Sequence, residues 1–97
     1  MNFHFSAKFN DYDIKFHGVA ELDDVLEKHI KGHEETIIAL CRAELATLCK
    51  RWGTKPADVV FFEIYYFKQA IFSKEIYNTG EEVKLFKWEK HHDNKKI

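Results

Sequence analysis

The chain has 97 residues, 45% of them hydrophobic and 32% charged, with one proline and four glycines. That mixture suits one domain with a real core and excludes a disordered or low-complexity chain. A net charge of −1, from 15 basic and 16 acidic residues, excludes a basic field over the whole surface.

In chain order, Phe3, Phe5, Ala7 and Phe9 alternate with Asn2, His4, Ser6 and Lys8, the pattern of a half-buried strand. Asn10-Asp11 signals a turn, and Tyr12, Ile14 and Phe16 resume the alternation, so a β-hairpin ending near Gly18 is expected. Asp23 or Asp24 offers a helix N-cap, with Glu27 three residues beyond Asp24. A helical period follows through Val25, Leu26 and Ile30 and then Ile37, Cys41, Leu45, Leu48 and Trp52, interrupted at Gly32. Either one long helix with a weak point or two helices, the second from about Glu34 to Arg51, fits this pattern. Gly53 and Pro56 supply the stop.

Asp58 to Phe72 reads DVVFFEIYYFKQAIF. Alternation puts Val60, Phe62, Ile64 and Tyr66 on one face of a strand and Val59, Phe61, Tyr65 and Phe67 on the other, where Glu63 is the one interruption. A strand apolar on both faces needs two covering layers. A further strand around Ile71 to Tyr77, a turn at Asn78-Thr79-Gly80 and the run VKLFKWEK are expected next, and then a frayed polar tail from about residue 91. The order β-β-α-β-β, with room for a fifth strand, predicts an α+β domain spanning 1–97. It would be a small antiparallel sheet with a helical layer on one face, burying Ile37, Cys41, Leu45, Leu48, Phe62 and Ile64.

The candidate chemistry is sparse. Cys41 and Cys49 on one helix would hold their Cα atoms about 12 Å apart, too far for a disulfide, and two buried reduced thiols are expected. His29 and His33 have the i,i+4 spacing of zinc ligands, but no third ligand accompanies them, so a solvent-facing pair is preferred and no metal is expected. His91-His92 belong to the tail. No nucleophile elbow, phosphate loop or dinucleotide fingerprint is present, so neither an enzyme nor a cofactor is expected. Lys84, Lys87, Lys90, Lys95 and Lys96 interleave with Phe86 and Trp88. That pattern suits either a nucleic-acid-binding accessory protein or an edge strand guarded by lysines, and the edge strand is preferred. Pro56 is the one proline; a helix stop held trans is preferred there over a contact for a host prolyl isomerase. Neither a secretory signal nor an 18-residue apolar span is found, so a cytoplasmic protein is expected.

One helical layer cannot cover both faces of the central strand. The expectation is therefore a partner-binding surface made of Phe61, Glu63, Tyr65 and Phe67, joined by Trp88 if the last run packs alongside. Glu63 would then pair with a cation on the partner or sit at the rim of the interface. A structural homodimer is the other way to cover that face.

The run ELATLCKRWGTKPADVVFFEIYYF, the chain length and the element order resemble the anti-RecBCD proteins of P22-like phages. The resemblance implies binding to the RecC subunit of the host RecBCD nuclease-helicase, in the host cytoplasm. It further implies altered Chi-dependent activity, so that phage DNA ends survive and recombine. No site residue is carried over by it.

Overall fold

The computed structural model describes residues 1–90. Strand β1 (Asn2–Phe9) pairs antiparallel with β2 (Phe16–Glu21), setting Phe3 opposite Ala20, Phe5 opposite Gly18 and Ala7 opposite Phe16. Phe3, Phe5, Ala7 and Phe9 are all buried, as their alternation predicts. The hairpin differs from expectation at its second strand. The chain does turn at Asn10-Asp11, where the Tyr12 N–H donates to the Phe9 carbonyl at 3.2 Å, but β2 begins only at Phe16, so Tyr12 and Ile14 lie in the connecting loop and are exposed.

Gly18 does not end the hairpin but sits inside β2. A Cβ there would stand 2.7 Å from Leu48 Cδ1 and closer still to the Phe5 ring, which is wholly buried. The missing side chain lets the helix and Phe5 close over the strand. Gly18→Ala should cost about 1–3 kcal/mol by overpacking, read as a lower urea midpoint at unchanged slope. An unchanged midpoint would mean that the helix stands off this strand.

Between the hairpin and the helix the chain makes a 3-10 turn at Glu27–His29 and then breaks at Gly32 with φ +88°. Of the two helical alternatives, the broken one is observed. Neither Asp23 nor Asp24 caps it: Asp24 takes a left-handed φ of 64°, and the N-terminal flank of the turn is Leu26. Helix α1 (Glu34–Trp52) opens with Glu34 and Glu35 and closes with Lys50 and Arg51, charges that complement its dipole. Gly53, left-handed at φ 74°, ends it, and the Gly53 and Thr54 N–H groups both donate to the Cys49 carbonyl. The inward stripe is Ile37, Cys41, Leu45 and Cys49, each four apart, and Leu48 is half-buried beside it. Trp52 packs against Phe9 and Phe16, with ring centroids 6.4 and 5.0 Å away.

Strand β3 (Val59–Phe72) is continuous, and β4 (Glu75–Glu89) returns beside it, giving the antiparallel order β2-β1-β3-β4. The expected turn at Asn78-Thr79-Gly80 is instead inside β4. The chain reverses at Ser73-Lys74, both left-handed at φ 50° and 69°, a two-residue hairpin turn. Between the pairs Phe67↔Glu82 and Gln69↔Asn78, β3 advances two residues (69 − 67) and β4 four (82 − 78). The two extra residues form a bulge at Gly80, φ +87°, where the Glu81 N–H donates to Thr79 Oγ1 at 3.1 Å. Asn78 to Gly80 are thus turn-type residues used as a bulge. No fifth strand occurs among the described residues.

The core lies between α1 and the face of Phe3, Phe5, Phe62, Ile64 and Tyr66. The domain is α+β with a single helical layer. β3 outruns β1, which ends its pairing at His4↔Tyr65, so beyond Phe67 the β3–β4 hairpin projects as an arm. The molecule measures 58 × 30 × 23 Å along its principal axes. At the root of the arm the Gln69 N–H donates to Glu27 Oε1 (2.9 Å) and the Glu27 N–H donates to Gln69 Oε1 (3.0 Å).

Candidate partner-binding surface

Phe61, Glu63, Tyr65 and Phe67 share the sheet face turned away from α1. The register adds His4, Ser6 and Lys8 from β1, His17 from β2, and Lys84 and Lys87 from β4. No described helix or strand packs on this face. The aromatic rings are half-buried because polar side chains lie across them. The ammonium groups of Lys15, Lys8 and Lys87 stand 5.0, 5.8 and 5.9 Å from the Phe61 ring centroid. His4 stacks on Tyr65 at 5.3 Å and 15°, and Phe67 meets both edge-on. The hydroxyl of buried Ser6 lies 3.0 Å from His17 Nδ1. Burial, and then the charges of Glu82 and Glu63, push the Tyr65 phenol above its ordinary pKa.

Glu63 is answered within the chain. Lys84 Nζ donates to Glu63 Oε2 at 3.0 Å, Lys15 Nζ stands 3.9 Å from Oε1, and the carboxylate side chain is 13% exposed. Two lysines of its own fold thus stand beside the carboxylate that the sequence reading reserves for a partner's cation or for the rim.

Trp88 stands apart from these residues. It pairs with Phe62 on the helix side, where it lines a cleft of about 290 Å³ with Arg42, Leu45, Pro56 and Ala57. A second hollow of about 550 Å³ continues past Arg42 to Ile38 and Phe86, and the Arg42 guanidinium lies 5.3 Å from the Phe86 centroid. This groove exists because α1 lies nearest β2, leaving β4 partly uncovered on the helix side.

The arm carries what sequence reasoning missed. Ile71 and Phe72 are 74% and 71% exposed, and Ile76 and Tyr77 are 46% and 47% exposed. The signal is the two apolar pairs that flank Ser73-Lys74, which alternation alone reads as one separate strand. Ile71 and Ile76 also line a cleft of about 350 Å³ against Leu26 and Glu27 at the arm's root.

The remaining candidates take structural places. Cys41 and Cys49 are free and buried, and burial, aided by the Glu44 charge, pushes the Cys41 thiol up to about 11, so it stays protonated at neutral pH. His29 Nδ1 accepts the Leu26 N–H at 3.0 Å, fixing the 3-10 turn, and His33 precedes the first residue of α1. Among the described residues no three His, Cys, Asp or Glu side chains gather as a metal site. Pro56 opens an exposed 3-10 turn, Pro56–Asp58, and the Lys55-Pro56 bond is trans. His91, His92, Lys95 and Lys96 lie outside the described residues. No helix among the described residues is long and apolar enough to cross a membrane.

No family model, no curated protein and no solved structure matches the chain.

Proposed function

We propose that the protein is a non-enzymatic binding module that docks a partner protein through the projecting β3–β4 arm. One observation carries this reading: Ile71, Phe72, Ile76 and Tyr77 are large, apolar and exposed together at the end of an element anchored only at its root. The register sets Ile71 opposite Ile76 on one face of the arm and puts Phe72 and Tyr77 on the other, so a partner that clasps the arm gains an apolar pair on each side. Fully burying such a side chain is worth about 1.5–3 kcal/mol, and anchors of this kind dominate interfaces. Two of them are aromatic or aromatic-capped chains of the type enriched in interface cores. The sheet face of Phe61, Glu63, Tyr65 and Phe67 is a weaker candidate for an apolar dock, since its own lysines and His4 already cover the rings.

The partner named by the sequence resemblance is the RecC subunit of RecBCD, and the proposal extends to it as the first protein to try. The test presents the immobilised chain to purified RecBCD and to a bacterial lysate, beside the variant Ile71→Ser with Phe72→Ser. Capture by the native chain and its loss in the folded variant is expected. Equal capture by both would remove the arm as the dock. If sedimentation instead gives a dimer for the native chain and a monomer for the variant, the partner is a second copy.

A further inference from the structure

We propose that the open face of the sheet binds single-stranded nucleic acid, independently of the arm. Phosphates would sit among the lysines around Phe61 and bases against Tyr65, Phe67 and the His4 ring stacked beside them. Four lysines reach this region from three separate elements: Lys8 from β1, Lys15 from the loop before β2, and Lys84 and Lys87 from β4. Three of their ammonium groups converge within 6 Å of one ring centroid. The carboxylates in ion-pair contact with the group are Glu63 and Glu89, two against four. In a chain of net charge −1, gathering like charges is a local arrangement that costs stability unless an anion answers it.

Aromatic groups continue from the lysines along the same strand. Tyr65 and Phe67 lie one step apart on one face, about 6.6 Å along β3, with His4 stacked beside them. Base–aromatic stacking tolerates any base, and a cationic groove beside such a row is the usual recipe for single strands. The lysine side chains are 42–53% exposed for Lys15, Lys84 and Lys87, so their ammonium groups remain open to a ligand. Glu82 stands opposite Phe67 and Glu21 opposite Asn2, at the end of the face away from the Phe61 lysines. The phosphates are therefore directed to the Phe61 end and the bases to Tyr65 and Phe67. A duplex would offer its backbone but no unstacked bases to that row.

The experiment is fluorescence anisotropy with labelled oligothymidylate and oligouridylate of about 15 nucleotides, titrated at low salt and then against rising salt. Binding of either is expected. Lys8→Gln with Lys15→Gln and Lys87→Gln should weaken it at least about tenfold and flatten the salt slope by about 2, at 0.7 per lost phosphate contact. Tyr65→Leu with Phe67→Leu, which keeps the apolar volume, should weaken binding roughly tenfold at an unchanged slope. The arm variant Ile71→Ser with Phe72→Ser should bind as the native chain does. No binding at low salt would overturn the proposal. So would an unaffected Tyr65/Phe67 variant, which would leave only attraction for polyanions, or loss of binding in the arm variant.

Discussion

Leu45→Ala should lower stability by about 2–5 kcal/mol, read from urea unfolding. Leu45 is one of four side chains in the inward stripe of α1, and it packs toward Phe62 on the one sheet face that the helix covers. Truncation removes its transfer free energy and leaves a void. The cleft beside Trp88 already opens near this point, so neighbouring side chains have room to relax, and the lower half of that range is expected. A cost well under 1 kcal/mol would mean that α1 is not held by this stripe.

Reversing Glu63 is the second large effect, and the structure changes its meaning. Seen as a lone charge on an apolar strand, Glu63 suggests a group kept for a partner, whose reversal would spare the folded monomer. In place, it is the carboxylate that Lys84 and Lys15 both approach, with Lys8 and Lys87 nearby over Phe61. Glu63→Lys would put a fifth ammonium among four, at a position 13% exposed. A cost of about 2–4 kcal/mol is expected, below that of a fully buried broken pair because the lysines are half in water. Glu63→Gln should cost about 1 kcal/mol. Salt screens the repulsion, so the gap between native and Glu63→Lys should narrow at about 1 M salt. Equal urea midpoints at low salt would show that the lysines do not depend on Glu63.

Much of this arrangement was legible in the residues. The alternation of Phe3 to Phe9, the period from Ile37 to Leu45, and the stop at Gly53 each depend on local geometry and are where they were expected. The doubly apolar β3 was legible too. What relieves its second face was not, because Lys8, Lys15, Lys84 and Lys87 meet only through the register. A bulge makes the point: Glu63 pairs with Lys87 and Tyr65 with Lys84, two steps on β3 against three on β4. That extra residue brings both lysines to one face, and simple alternation would have separated them. The same difficulty hid the arm. Asn78-Thr79-Gly80 carries turn chemistry, but a β-bulge draws on the same left-handed glycine as a turn does. The true reversal uses Ser73 and Lys74, a pair with no such preference. Gly18 misled in the opposite sense: it resembled a stop and is a close approach to Phe5 and Leu48.

The claim that the arm is the protein dock is tested most directly by backbone amide exchange on the chain alone and bound to the protein it captures. Free, the amides from Ala70 to Tyr77 should exchange fast, since the backbone pairing there runs only between the arm's own two strands. In the complex those amides should slow markedly while those of α1, already protected by the core, change little. Slowing confined to α1 or to Phe61–Phe67, with the arm still exchanging as in the free chain, would contradict it.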